Sequence, residues 1–174
     1  KMLFNGIFKE GKSANGILYY EDGSKKYEGD FINNIYNGFG TLYFKGENKI
    51  FFNGVFKQGE YVSGILYNED GRKKYEGNFL NGYYHGIGIE YLSNGNKKRK
   101  LVFKEGKVES KCYGILYDEN NKEIYKGLLN DGIPEKGKSL IIYDENDYIL
   151  YKGDFLNFKY NGQGILYFKR KNKM

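Results

Sequence analysis

Hydrophobic and polar residues alternate in short runs along the chain, and the runs come in pairs. In the stretch from Tyr27 to Phe44, YEGDFINNIYNGFGTLYF, one alternating run spans Tyr27 to Phe31 and another Gly38 to Phe44, with an Asn-rich connection between them. Period-two alternation on either side of turn-forming residues predicts two antiparallel strands joined as a hairpin. No stretch carries the 3.6-residue periodicity of an amphipathic helix.

The hairpin pattern recurs. A tyrosine closes the second strand at Tyr19, Tyr43, Tyr67, Tyr91, Tyr117, Tyr143 and Tyr167, in steps of 24 or 26 residues. A glycine precedes it by three positions in six copies: Gly16, Gly40, Gly64, Gly88, Gly114 and Gly164. A longer period of 48 residues relates the stretch 4–51 to 52–98, down to Glu21-Asp22-Gly23 against Glu69-Asp70-Gly71. Units of this length are repeats that bury apolar surface only by stacking on their neighbours. The expected fold is all-β: an elongated, twisted, single-layer antiparallel sheet of about seven stacked β-hairpins. One domain over 1–174 is expected, with repeats near 4–26, 27–51, 52–74, 75–98, 99–124, 125–150 and 151–174.

Strand alternation puts Tyr27, Gly29 and Phe31 on one face, together with Gly38, Gly40 and Leu42 of the return strand. The large rings then cover bare backbone, which offsets the weakness of glycine in a strand. Copies two, four and seven begin the second strand with Gly38, Gly86 and Gly162. Copies one, three and five carry Ala14, Val62 and Cys112 there, so alternate hairpins should pack differently. The sixth copy, with Pro134 in its turn and Ser139-Leu140-Ile141-Ile142 in place of the glycine pattern, is the least regular. A bend or special contact is expected between Arg99 and Tyr143. Asp22-Gly23, Asp70-Gly71 and Asn94-Gly95 mark turns between units, replaced by Asn120-Asn121 and Asn146-Asp147 in copies five and six.

Composition agrees with many short strands: 25 Gly, 19 Tyr and 13 Phe stand against one Pro and no Trp among 174 residues. The net charge of +6 is interspersed, as on a solvated face. Two basic runs are exceptions, Lys97-Lys98-Arg99-Lys100 and Lys169 to Lys173, and clustered cations suit phosphate or anionic lipid. The single Cys112 excludes an intramolecular disulfide, and no apolar run is long enough for a membrane-spanning helix. The segment beginning at Lys1 lacks signal-peptide features, so the compartment is left open with the cytoplasm favoured.

The segments YEGDFINNIYNGFGTLYF, YEGNFLNGYYHGIGIEYLSNG and YKGDFLNFKYNGQGILYF closely resemble the MORN repeat. The resemblance is strongest in copies two, four and seven and weakest in five. It implies a non-enzymatic binding or scaffolding module with an aromatic-lined groove. The candidate groove residues are Tyr27, Phe31, Tyr43, Tyr75, Phe79, Tyr91, Tyr125, Tyr151 and Phe155. A protein partner is expected, with a second copy of the chain as one option. The rival readings are an anionic membrane surface, contacted through Lys97, Lys98, Arg99 and Lys100, and an immunity or antitoxin role suggested by bacterial variants of the repeat. No nucleic acid, cofactor or metal is expected.

Catalytic chemistry finds little to work with. His85 is the only histidine and falls in the hairpin turn Tyr83-Tyr84-His85-Gly86, where it reads as a turn residue. Cys112 occupies the slot of Gly38 or Val62 and reads as a small packed residue. Acidic pairs recur at Glu21-Asp22, Glu69-Asp70, Asp118-Glu119 and Asp144-Glu145. They read as turn formers balanced by nearby lysines rather than as calcium ligands.

Overall fold

A computed structural model describes residues 3–144 and 146–168. Among them there is no helix, and the strands follow one another in hairpin order. The first eight are β1 (Phe4–Lys9), β2 (Lys12–Tyr19), β3 (Lys25–Ile32), β4 (Ile35–Tyr43), β5 (Ile50–Lys57), β6 (Glu60–Tyr67), β7 (Lys73–Leu80) and β8 (Tyr83–Tyr91). There follow β9 (Lys97–Lys104), β10 (Lys107–Val108), β11 (Lys111–Tyr117), β12 (Glu123–Asn130), β13 (Ile133–Pro134), β14 (Lys136–Tyr143), β15 (Ile149–Leu156) and β16 (Lys159–Leu166). The hydrogen-bonded order runs from β1 to β9 and on through β11, β12 and β13, an open antiparallel sheet in which β10 pairs with β9. A second sheet holds β14, β15 and β16. The chain forms two compact units, one reaching to Gly88 and including Lys104–Gly106, the other made of Ile89–Phe103 and the residues from Lys107 on.

In the first unit, the ring that opens each copy lies on backbone free of side chains. Gly29 pairs with Gly40 across β3 and β4, and Gly54 with Gly64 across β5 and β6. A methyl group at Gly40 would fall within 3 Å of Oη, Cζ and Cε2 of Tyr27, and one at Gly54 within 3 Å of the Phe52 ring. Tyr27, Phe52 and Tyr75 are thereby completely buried. Neighbouring copies are joined edge to face: Phe8, Phe4, Phe31, Tyr27, Phe56, Phe52, Phe79 and Tyr75 form an unbroken series of ring contacts with centroids 5.0 to 5.5 Å apart. Such geometry aligns the positive ring edge with a neighbour's negative face.

The copies alternate in how the return strand meets the first. Copies one and three accommodate a single extra residue, Ala14 and Val62, between Asn15 and Ser13 and between Ser63 and Tyr61. Copies two and seven accommodate two, because Gly29 opposes Gly40 while Phe31 opposes Tyr36, and Gly153 opposes Gly164 while Asp154 opposes Asn161. The wider bulge requires a left-handed residue, supplied by Gly38 at φ 88°. The Asp30 carboxylate fills the space a Gly38 side chain would need and accepts a hydrogen bond from Phe39 N at 3.2 Å. Between copies, Asn121 and Asp147 hold the left-handed turn position taken elsewhere by Gly23 and Gly71.

In the second unit leucines replace rings through the middle copies. Leu101 and Leu129 reach over Gly114, and both are buried, as are Leu116 and Leu140. The interruption between β13 and β14 falls inside the segment expected to be irregular. Pro134 still pairs with Leu129, but β14 takes only β15 as its ladder partner.

Replacing Gly40 with alanine should cost about 2 to 3 kcal/mol, because the ring must leave its seat in a core with no spare volume. Gly23→Ala, at an open turn position with φ 84°, should cost about 1 kcal/mol. Urea unfolding of the two variants checks this, and equal losses would contradict the ring-on-backbone packing.

Candidate binding face

The nine candidate rings do not share one surface. Tyr27, Phe31, Tyr75, Phe79, Tyr151 and Phe155 are core residues, none more than 6% exposed. Tyr125 belongs to the same series, half-buried over Gly127 with its Oη donating to Leu128 O at 2.7 Å. Tyr43 follows Leu42 in the alternation of β4 and so projects from the opposite face. There its Oη donates to Glu28 Oε2 at 2.9 Å, which also accepts from Lys25 Nζ at 2.9 Å. Lys25 first, and Tyr43 second, hold the Glu28 carboxyl below the usual carboxylate range. Tyr91 follows Glu90 in the same alternation of β8, and Lys73 and Glu76 repeat the Lys25–Glu28 pair at 2.9 Å.

Above these rings on the aromatic face lies a second layer that the strand pattern did not single out. Tyr36 lies parallel to Tyr27 with centroids 3.9 Å apart, Tyr61 stacks on Phe52 at 4.7 Å, and Tyr84 on Tyr75 at 3.8 Å. Tyr160 repeats the arrangement on Tyr151 at 3.9 Å in the other unit. Tyr27, Phe52, Tyr75 and Tyr151 each carry a second ring in this way, and Tyr36, Tyr61 and Tyr84 are half-exposed. Burial pushes the Tyr36 phenol up to about 12, with a smaller contribution from Tyr20.

The basic run is dispersed and engaged. Strand alternation sends neighbouring side chains of β9 to opposite faces, which breaks up any continuous cationic patch. Lys97 Nζ lies 5.2 Å from the centre of the Tyr117 ring. Arg99 Nε donates to Glu90 Oε2. Lys98 is buried, with its ammonium on Asp147 Oδ1 at 2.9 Å and Asp144 O at 2.8 Å. Lys100 is half-buried. The other basic run, Lys169 to Lys173, lies outside the described residues. His85 is half-buried on β8 with no hydrogen-bond partner for Nδ1 among the described residues, and Cys112 is buried on β11. Among the described residues, no group of three or more His, Cys, Asp or Glu could hold a metal ion, and no helix is long and apolar enough to cross a membrane.

A family model described as the MORN repeat matches residues 4–25, 27–48, 75–97 and 151–173, together more than half of the chain. These are copies one, two, four and seven. The ring-on-glycine packing also occurs in copy three, where Phe52 lies over Gly54 and Gly64 although the model makes no match. No curated protein matches the chain at a significant level.

A phenol whose folded value lies near 12, against an ordinary 10, favours the folded state while it stays neutral. This contribution is fully present below about pH 10 and is lost as pH rises through 12. Tyr36→Phe should therefore flatten the fall of stability between those values in alkaline denaturation followed by circular dichroism. An unchanged slope would show that Tyr36 ionises as a solvated phenol.

Proposed function

The chain belongs to the MORN-repeat family, and from that premise we propose that it is a non-enzymatic repeat scaffold that captures a partner protein on its aromatic face. The observation that carries this reading is the second ring layer, Tyr36, Tyr61 and Tyr84, seated on buried rings in three successive copies. A tyrosine held flat against another ring has already lost its rotamer freedom, so binding orders little more of it. Tyrosines in such positions offer large amphipathic contact area and are over-represented among the residues that dominate interface energies. The deep rings Tyr27, Phe31, Tyr75 and Phe79 act as the floor that holds this layer in place. Tyr43, in its ion-pair cluster on the reverse face, contributes to solvation and rigidity there.

Substituting Tyr36, Tyr61 and Tyr84 together with leucine keeps apolar bulk while removing the planar surface and the phenols. Partner capture followed by quantitative mass spectrometry, then titration of the purified partner, should show affinity weaker by at least about 30-fold, the equivalent of losing one anchor of about 2 kcal/mol. Phe39→Ser, an exposed change on the reverse face, should leave affinity intact. Affinity unchanged by the triple variant, or lost with Phe39→Ser instead, would overturn the assignment.

A further inference from the structure

We propose that β14, β15 and β16 form a hinged flap of the second unit, latched shut by Lys98 and Asp147. The hinge follows from the ladder. Strand β12 is paired along its length with β11, but on its other side the ladder holds only Leu129 and Asn130, opposite Pro134 and Ile133 of β13, and ends with the Leu128 carbonyl. Past Pro134 the backbone link is the single residue Glu135, whose N donates to Leu128 O at 3.1 Å and whose carbonyl accepts from Phe158 N at 3.2 Å. From there β14 turns to β15, so β12 and β14 meet through side chains, with Ile124, Tyr125, Ile133 and Ile142 packed against Leu140, Tyr151 and Phe155.

The latch lies at the far end of β14 from that hinge. In the turn after β14, the Asp144 side chain accepts from Asn146 N at 2.8 Å and Tyr148 N at 3.1 Å, and Asp147 takes a left-handed backbone at φ 63°. Asp147 Oδ2 then accepts from Ser93 N at 2.8 Å, while Lys98 Nζ reaches both Asp147 Oδ1 and the Asp144 carbonyl. These contacts bridge 46 to 54 residues and skip the whole of copy five. The corresponding turns after copies one, three and five begin Glu21-Asp22, Glu69-Asp70 and Asp118-Glu119, where an incoming carboxylate would meet like charge, and the turn after copy two, Lys45-Gly46-Glu47, carries both signs. Among the described residues, the Ser93-Asn94 turn alone lacks charged side chains and is followed by a buried lysine. Below the latch, Ile141, Ile142 and Tyr143 close against Leu116 and Arg99 around a void of about 10 Å³. Release of the latch uncovers this aliphatic surface and the unpaired backbone edges of β12 and β14, which are templates for an added extended strand.

Hydrogen exchange read by mass spectrometry on the full chain tests the flap without any partner, so its outcome is independent of the aromatic-face assignment. Lys98→Met should speed exchange about tenfold in peptides covering 123–128 and 136–143 and leave peptides covering β3 and β4 unchanged. The charge swap Lys98→Asp with Asp147→Lys should restore at least part of the protection. Unchanged exchange in 136–143 overturns the latch. Acceleration spread evenly over the chain shows a general stabilising contact instead, and failure of the swap to restore protection shows that the ion pair is not what holds the flap.

Discussion

A flat ring lying on two facing glycines is the contact on which the rest of the first unit depends. A side chain on an open sheet ordinarily keeps one side in water, and Tyr27 escapes this because Gly29 and Gly40 let it settle onto the backbone itself. Once seated, it is hemmed in by Phe31 and Phe56 at its edges and by Tyr36 across its face. Tyr27, Tyr75 and Tyr151 gain a further tether, since each hydroxyl donates to the carbonyl three residues on, at 3.0 to 3.2 Å. Phe4 and Phe52 have no such hydroxyl, and they open copies one and three, where the bulge is narrower.

Much of this was legible in the chain. The glycine three residues before the closing tyrosine in six copies marks the ring seats, and the acidic and Asn-rich turns mark where strands reverse. The outer ring layer was harder to read. Tyr36, Tyr84 and Tyr160 precede their glycine by four positions, but Tyr61 precedes Gly64 by three, so strict alternation sends it to the reverse face. The single extra residue Val62 restores it to the aromatic face, and only the register reveals that. The family resemblance drew attention to the conspicuous Tyr27 series, which lies beneath the half-exposed rings of Tyr36 and Tyr84.

The engagement of the basic run was hidden in the sequence for a different reason. Four consecutive cations suggest an exposed patch, yet what neutralises Lys98 is a turn more than forty residues downstream, brought close by the departure of β14 from the ladder. Local sequence carries no trace of such pairing. The two units also solve the same burial problem in different ways. Rings pack edge to face through the first, whereas Leu101, Leu116, Leu129 and Leu140 fill the middle of the second, where the backbone pairing is interrupted. Aliphatic side chains lack the directional edge-to-face preference of rings, which suits them to the change of strand partners after Pro134.

The alternation of narrow and wide bulges has an evolutionary corollary. Copies one and three share a narrow bulge and a phenylalanine, whereas copies two and four share a tyrosine and a left-handed glycine, Gly38 or Gly86, so among these four like follows like only every 48 residues. Unequal crossing-over that removed or inserted 24 residues would juxtapose two junctions of the same kind, while an event of 48 would rejoin each ring to the neighbour it already has. Within the first four copies the hairpin pair is therefore the smallest piece whose removal leaves every ring junction as it was.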